Sequence, residues 1–231
     1  MEFLWRVVTD ALEALRAFGP AIRDVLGLTL EVSGIATVIG VVIGVPLGVA
    51  LGAGRFRGRG ALTVAVNTGM GMPPVLAGLV LLLFLWNEGP LGAWGLLFTP
   101  AAMISAQALL AIPIAAGVTA GAVRGLAPDA VEQVRALGMG AFGRGVVLGR
   151  EAWPGVVAAA AAAFGRVVSE VGAVLVVGGN IAGETRVLTT AIVQESRQAN
   201  FGTALALGVI LMVIAVVVNG VLTWLQFREA R

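Results

Sequence analysis

Five long apolar stretches constrain this chain more than any other feature of its sequence. Each exceeds the roughly 20 residues that an α-helix needs to cross the hydrocarbon core of a bilayer. Only 12% of the residues are charged, against about 25% in soluble domains. We therefore predict an all-α integral membrane protein with five transmembrane helices, at residues 26–53, 61–86, 94–123, 152–177 and 201–227.

The connections between the predicted spans are too short to hold a separate soluble domain. We predict an N-terminal segment at residues 1–24 and a transmembrane domain at residues 25–231, which includes a polar segment at 124–154. Charged and apolar residues alternate near the N-terminus, without a long apolar run or a small-residue cleavage site. This pattern favours an amphipathic helix at the membrane surface, ending at Gly19-Pro20, over a cleaved signal peptide.

The residue types that are absent exclude several kinds of chemistry. The sequence contains no Cys, His, Tyr or Lys, so disulfides, a catalytic histidine and a Cys/His metal site are all excluded. All 15 basic residues are arginines, yet the net charge is only +2. Because these arginines are scattered singly and form no basic patch, we predict no binding of nucleic acid.

The arginines are distributed unequally between the two sides of the predicted spans. Nine belong to the first connection, the third connection and the C-terminus, whereas five lie on the opposite side. Since cytoplasmic loops carry the excess of positive charge, we predict an external N-terminus and a cytoplasmic C-terminus. Residues 124–154 are then cytoplasmic in a multi-pass protein of the inner cell membrane.

The polar segment at residues 124–154 carries the signals of a short helix. Asp129 and Glu132 have the spacing of a capping box at a helix start. Gly138 readily adopts the left-handed conformation that ends many helices. A helix of roughly two turns, about 12 Å long, is predicted between them, and so short a helix is marginal in isolation.

Apolar residues on one face of this short helix suggest what could hold it. They recur at intervals of four and three residues, at Ala130, Val134 and Leu137. Two interpretations are open: the helix lies on the lipid headgroups, or it docks to a soluble partner.

Two features inside the spans bear on packing and transport. Gly40, Gly44 and Gly48 form a stripe of small residues that allows close contact between helices. Arg166 and Glu170 share a helix face within the fourth span, where each ionised group costs roughly 2.5–3.5 kcal/mol on insertion scales. The two must face other helices or an aqueous pathway, so they form either a structural ion pair or part of a pathway.

The polar segment also resembles a known transporter motif, the cytoplasmic "EAA" loop of ABC-importer permeases. That loop has Glu-Ala-Ala, three further residues and Gly, and it closes with a hydrophobic residue and Pro. The similar positions here are Glu132, Ala136, Gly138 and Trp153-Pro154. Gln133 and Val134 replace the two alanines, and the closing residues are Trp-Pro instead of Leu-Pro.

Other stretches resemble the molybdate/sulfate/tungstate group of these permeases. They are residues 164–173 (FGRVVSEVGA), 178–181 (GGNI) and 185–192 (TRVLTTAI). Within the group, residues 67–74 (NTGMGMPP) and 89–92 (GPLG) are most similar to the tungstate-importer permease. The resemblance covers residues 28–224, which is most of the chain.

The resemblance implies a type I ABC importer permease fold and a defined set of partners. In such importers two permease chains form a homodimeric pore, two cytoplasmic ATPase subunits each hold a coupling helix, and an extracytoplasmic binding protein delivers the anion. The apolar face of the coupling helix is expected to fill a groove on the ATPase. The residues expected to couple the permease to the ATPase are Asp129, Ala130, Glu132, Val134, Ala136, Leu137 and Gly138.

Nucleotide chemistry is expected to belong to a partner. The sequence contains no G-x-x-x-x-G-K-[ST] phosphate loop. We therefore expect this chain to be a transport subunit without catalytic residues, bound cofactor or metal. ATP and Mg²⁺ would bind to the partner ATPase.

An oxyanion cargo implies hydrogen-bond donors and positive charge along its pathway. The candidate pathway residues are Arg166, Ser169, Glu170, Asn180, Thr189 and Thr190. Arg166 is the one cation within a predicted span, whereas Glu170 would repel an anion unless it is screened. We expect the Arg166–Glu170 pair to be primarily structural and tight selectivity to reside in the binding protein.

The sequence leaves three classes of function open for this chain. The first is the permease of an oxyanion importer, with tungstate ahead of molybdate and sulfate. The second is a permease of the same superfamily for another cargo, such as methionine or phosphate. The third is an integral-membrane enzyme or a secondary transporter; an enzyme would lack the usual catalytic groups, and a secondary transporter normally has more spans and internal repeats.

Overall fold

The fold consists of helices throughout the part of the chain that is described. The computed structural model describes residues 2–16, 19–136 and 138–228, and no β-strand occurs among them. The predicted all-α class is confirmed. The helices are α1 (Glu2–Arg16), α2 (Pro20–Ala53), α3 (Arg59–Met70), α4 (Pro74–Leu85), α5 (Pro100–Arg124), α6 (Pro128–Ala136), α7 (Ala141–Glu151), α8 (Trp153–Val168), α9 (Gly172–Gly178), α10 (Leu188–Arg197) and α11 (Phe201–Arg228).

The membrane spans divide into continuous and broken ones. Helices α2, α5 and α11 are each long and apolar enough to cross a membrane alone. Two broken pairs, α3 with α4 and α7 with α8, raise the number of candidate spans to as many as five if each pair counts as one span. The predicted five spans thus correspond to three to five candidates, and the second and fourth predicted spans are not single helices.

The second predicted span breaks between Met70 and Pro74. Neither Pro73 nor Pro74 has an N–H to donate within a helix, and a residue that precedes a proline is disfavoured in the α conformation. Gly71 ends α3: its N–H donates to the carbonyl of Thr68, and the N–H of Met72 donates to the carbonyl of Gly69. Pro74 then opens α4, where a proline in the first turn loses no helical hydrogen bond.

The third and fourth predicted spans differ from the structure at their ends. The third was expected to begin at residue 94, but α5 begins at Pro100, after a 3₁₀ turn at Gly92–Trp94. The fourth was expected to run unbroken to residue 177, but α8 ends at Val168 and α9 follows at Gly172. On the N-terminal side of α8, α7 is bent away from it by 81°.

The chain divides into two compact units, and helices α2, α5, α8 and α11 contribute to both. Unit 1 comprises Met1–Ile35, Pro73–Gln107 and Val168–Val217. Unit 2 comprises Ala36–Met72, Ala108–Val167 and Val218–Arg231. Since the units are built from separate stretches of sequence, each contains residues that are distant along the chain.

Close packing of α2 against α5 dominates unit 2. A Cβ added at Gly40 would lie 2.5 Å from Ala111 Cβ, and one at Gly48 would lie 2.5 Å from the Ala116 carbonyl oxygen. Gly44 approaches α5 equally closely, at Ala115. The predicted packing role of the glycine stripe is confirmed, because no larger residue fits at these positions.

Unit 1 holds α1 against the first turn of α11. The rings of Phe3 and Phe201 pack edge to face with centroids 6.0 Å apart. Helices α1 and α11 approach so closely at Gly202 that an added Cβ would overlap Asp10. Trp5 stays 71% exposed, so part of the apolar surface of α1 faces outwards. Packing on the bundle therefore coexists with the exposed apolar face that a membrane-surface helix requires.

Candidate functional site: a short, partly exposed helix and a buried polar cluster

Helix α6 is fixed to unit 2 through one apolar side. Val134 is only 8% exposed and belongs to a cluster with Val49 of α2, Val123 of α5 and Leu148 of α7. Val131 packs against the same cluster. Burial of these side chains supplies the stability that a nine-residue helix lacks by itself.

The described side chains on the opposite side of α6 are exposed. Asp129, Glu132, Gln133 and Ala136 are all exposed. The predicted use of the apolar face is therefore wrong for Val134, which is covered by this chain and cannot enter a groove on a partner. The surface that α6 offers is polar and carries two carboxylates.

The ends of α6 agree partly with the sequence prediction. The helix begins at Pro128, so Asp129 lies in its first turn instead of capping it. A carboxylate there interacts favourably with the positive end of the helix dipole. Gly138 has φ 65°, which is the left-handed conformation predicted for it. Ala130 lies within the helix, and Leu137 lies outside the described residues.

A buried polar cluster in unit 1 surrounds the break between α8 and α9. Glu170 is 4% exposed, and its carboxylate accepts a hydrogen bond of 3.1 Å from the N–H of Ala173. The hydroxyl of Thr189 donates to the backbone carbonyl of Glu170 at 2.9 Å. These bonds satisfy backbone groups that the break would otherwise leave unpaired in an apolar interior. Glu170 therefore positions the first turn of α9.

Thr190, another predicted pathway residue, is used within the fold. It is buried, and its hydroxyl oxygen accepts a hydrogen bond of 3.1 Å from the N–H of Val187 at the start of α10. The hydroxyl of Thr29 in α2 accepts the next N–H, from Leu188, at 2.9 Å. The N-terminus of α10 is thus held by side chains from two helices.

Asn180 lies in the loop after α9 and adopts a left-handed conformation with φ 57°. Its amide nitrogen donates to Gln194 Oε1 of α10 at 2.6 Å. Its amide oxygen is buried without a hydrogen-bond partner among the described residues. An unpaired buried acceptor is costly, so the amide of Asn180 is held by its bond to Gln194 alone among the described contacts.

Two further predicted pathway residues, Ser169 and Arg166, precede Glu170 in the sequence. Ser169 is exposed at the break between α8 and α9. Arg166 is half-buried in α8 and belongs to unit 2, whereas Glu170 belongs to unit 1. Within unit 1 the structure brings Glu170 and Thr189 together, with Thr190 next to Thr189 in α10.

Sequence reasoning missed Thr185, which closes the loop between α9 and α10. It is fully buried, accepts the N–H of Ile181 at 2.9 Å and donates to the carbonyl of Gly178 at 2.5 Å. Its signal in the sequence was a hydroxyl residue at the end of a glycine-rich turn, which commonly bonds the backbone of that turn.

Comparison with protein families decides what kind of transporter component these helices form. Residues 44–231 match the family of binding-protein-dependent transport system inner membrane components. The chain belongs to this family. It is accordingly a multi-pass permease subunit of an ABC importer, and its transport system depends on a binding protein.

Relatives of this inner membrane component are permeases as well. The chain is 45% identical over 169 residues to a probable anion ABC transporter permease protein of Haloferax volcanii, which covers 71% of this chain and 73% of that protein. It is 35% identical over 226 residues to the tungstate uptake system permease protein TupB of Peptoclostridium acidaminophilum, which covers 98% and 99% of the two chains.

A solved structure supports the predicted fold of this inner membrane component. The chain is similar to one chain of the MetNI methionine ABC transporter in inward-facing conformations, with a TM-score of 0.67. The match covers 90% of this chain and 94% of the other at 19% identity. The predicted type I ABC importer permease fold is confirmed, and the likeness is one of fold alone.

Proposed function

We propose that this permease imports a tetrahedral oxyanion and that tungstate is its favoured cargo. The observation that carries the proposal is the 35% identity to a tungstate uptake permease over nearly the whole of both chains. The similarity to a probable anion permease supports the same charge class. Methionine is not favoured, because the similarity to the methionine transporter is limited to the fold.

The working unit we propose contains two copies of this chain, two ATPase subunits and one external binding protein. The chain has no lysine with which to build a phosphate loop, so the ATPase subunits would bind ATP and Mg²⁺. The excess of arginines beside α6 supports a cytoplasmic position for that helix, with the N-terminus outside. A two-fold axis would then place one pathway between the two permeases.

Coupling would pass through the exposed side of α6. The carboxylates of Asp129 and Glu132 face away from unit 2 and are accessible to a cytoplasmic partner. The covered side, at Val134, connects α6 to α2, α5 and α7. Closure of the ATPase pair on ATP would move the two α6 helices, and this motion would favour one of the two alternating access states.

Selectivity would rest mainly with the binding protein. Among the candidate pathway residues, Thr189 and Thr190 already use their hydroxyl groups in hydrogen bonds to backbone atoms. Arg166 of α8 and the exposed Ser169 stay candidates for the pathway, together with Asn180. A dianion that meets few free donors binds weakly along its way, which suits rapid release.

Reconstitution tests the cargo directly. The permease, its ATPase and its binding protein are purified together, placed in proteoliposomes, and ATP hydrolysis is measured with tungstate, molybdate, sulfate and methionine. We expect tungstate to stimulate hydrolysis at the lowest concentration. Stimulation by methionine alone would contradict the oxyanion proposal. Stimulation by sulfate or molybdate at lower concentrations than tungstate would favour one of those two anions as the cargo.

Molybdate or sulfate is the second candidate. The stretches at residues 164–173, 178–181 and 185–192 resemble the whole molybdate/sulfate/tungstate group and do not separate its members. All three cargoes are tetrahedral dianions, so a pathway suited to one is electrostatically suited to the others.

A further inference from the structure

An apolar groove runs along the end of α2, on the side of α6 that faces the rest of unit 2. Its volume is about 780 Å³, which lies within the range of about 300–1,000 Å³ typical of ligand sites. Residues from three helices line it, among them Val45 and Val49 of α2, Val134 of α6, and Gly145 and Leu148 of α7. The groove is therefore continuous with the contact that holds the coupling helix.

The groove runs along the last turns of a candidate membrane span. Helix α2 is a candidate span that ends at Ala53. Val45 lies eight residues earlier, which is about 12 Å along an α-helix. An apolar wall of that length along a candidate membrane span suits an acyl chain, whose hydrocarbon groups match the lining side chains.

The mouth of the groove is positively charged. Arg55, just beyond the end of α2, and Arg144 of α7 both line it. No carboxylate occurs among the lining residues that the structure describes. Basic pockets between membrane helices at the level of the headgroups favour anionic lipids. The combination of apolar walls and two guanidinium groups matches a phospholipid with a net negative charge.

We propose that this groove binds one anionic phospholipid. An acyl chain lies against Val45 and Val49, and the phosphate lies between Arg55 and Arg144. Because Val134 lines the same groove, the bound lipid contacts α6 and stabilises the coupling helix in its present position. The lipid is a structural partner of the permease and is independent of the cargo.

Lipid binding by the purified full-length permease tests the charged part of the site. Native mass spectrometry compares dioleoylphosphatidylglycerol with dioleoylphosphatidylcholine, and we expect the anionic lipid to be retained preferentially. Loss of one arginine weakens such an interaction about fivefold, and the Arg55→Ala/Arg144→Ala double variant weakens it about 30-fold.

Arg57→Ala is the matched control for charge. Arg57 is exposed in the same connection as Arg55 but does not line the groove. The control is expected to retain the anionic lipid at the level of the unchanged protein. Equal retention of the two lipids, or an equal loss in Arg57→Ala and the double variant, would overturn the proposal.

Gly145→Leu tests the apolar part of the site while both arginines stay in place. A Cβ at Gly145 would stand 3.8 Å from Val49 Cγ1, an ordinary contact, and the rest of the leucine side chain would occupy the groove. We expect loss of lipid retention in this variant. Gly143→Leu, on the same helix but outside the groove, is expected to bind lipid normally, and the reverse pattern would exclude the acyl-chain position.

A crosslinker identifies the occupant in the native membrane. Phe142 lines the groove and is 87% exposed, so Phe142→p-benzoylphenylalanine places a photoreactive group at the mouth. Irradiation of membranes that contain the complete transporter is expected to give a phospholipid adduct. An adduct with the ATPase or with a second permease chain, and none with lipid, would contradict the proposal without bearing on the cargo.

Discussion

Helices α6 and α9 are both short, with nine and seven residues, yet the protein holds them in different ways. Helix α6 is attached along one apolar side, and its polar side is free. Helix α9 is enclosed: Ala173, Val174 and Val177 are buried, and hydrogen bonds from other segments meet both of its ends. Neither helix would be stable alone, so each owes its existence to its surroundings.

Helix α9 is thus fixed on all sides, whereas α6 has an exposed side on which it could contact a partner. A change at α9 removes contacts made on all sides, and its cost falls on the stability of the fold. A change at Asp129 or Glu132, on the exposed side of α6, removes no contact described within the chain, so under the proposed coupling role its cost would fall on a partner. Four substitutions test whether α9 and α6 differ in this way, and their expected effects decrease from the first to the last.

The largest effect is expected at the close approach of α4 to α9. A Cβ at Gly78 would lie 2.7 Å from the Cα and 3.0 Å from the carbonyl oxygen of Ala173. Gly78→Ala must therefore push backbone segments apart, and we expect it to lower the free energy of unfolding by about 3 kcal/mol. The thermal unfolding midpoint of the purified permease measures this loss.

Gly34→Ala is the control for Gly78→Ala. Gly34 lies within α2 and has no atom within 4 Å of an added Cβ. Alanine is favoured over glycine inside a helix by roughly 0.5–1 kcal/mol, so this variant is expected to be at least as stable as the unchanged protein. Equal stability of the two variants would show that α9 is not tightly enclosed.

The second effect concerns the carboxylate that caps α9. Glu170→Ala leaves the N–H of Ala173 without this acceptor in a buried place, and we expect a loss of about 2 kcal/mol of stability. Glu170→Gln keeps an oxygen at the same position, so it is expected to retain most of the stability. The two midpoints distinguish a capping role from a role that requires negative charge, which would make both variants equally defective.

The third effect falls on the partner. Glu132→Ala removes an exposed carboxylate from α6, and we expect about tenfold weaker binding of the ATPase, or about 1.4 kcal/mol, with unchanged thermal stability of the permease. Binding is measured by titration of the ATPase onto immobilised permease. Glu151→Ala removes an equal charge from the exposed end of α7 and is expected to bind normally; a similar loss in both would reflect general electrostatics.

The smallest effect is expected at the end of α6. Gly138 has φ 65° and open space around it, so Gly138→Ala meets only the backbone strain of the left-handed region, about 1 kcal/mol. Hydrogen exchange is expected to rise in α6 alone. Gly143→Ala, within α7, brings no such strain. If hydrogen exchange of α6 were faster in that variant as well, strain at the positive φ of Gly138 would not be the cause.

The sequence predicted the spans where length and hydropathy alone decide the structure, as in α2 and α11. The break before Pro74 had a local signal in the two adjacent prolines. The break after Val168 had none, because the groups that stabilise it come from elsewhere: the hydroxyl that bonds the Glu170 carbonyl belongs to Thr189, 19 residues further along the chain. Such pairings depend on tertiary structure and leave no periodic pattern.

The candidate coupling helix was predictable in position but not in orientation. The end at Gly138 followed from the conformational freedom of glycine. The apolar stripe that includes Val134 was visible too, but an apolar stripe is equally suited to a partner and to the remainder of its own chain. The decision came from Val49, Val123 and Leu148, which are far from Val134 in sequence and surround it in space.

The glycine stripe of α2 has a mechanical consequence. At Gly40, Gly44 and Gly48 the backbone of α2 lies directly against α5, and the short side chains that it meets there, Ala111, Ala115 and Thr119, have little freedom to absorb a displacement. The two helices are therefore expected to move together as one rigid body over about two helical turns. Since Val134 rests on both, a pull on α6 would reach the two helices together and would not be dissipated by sliding between them.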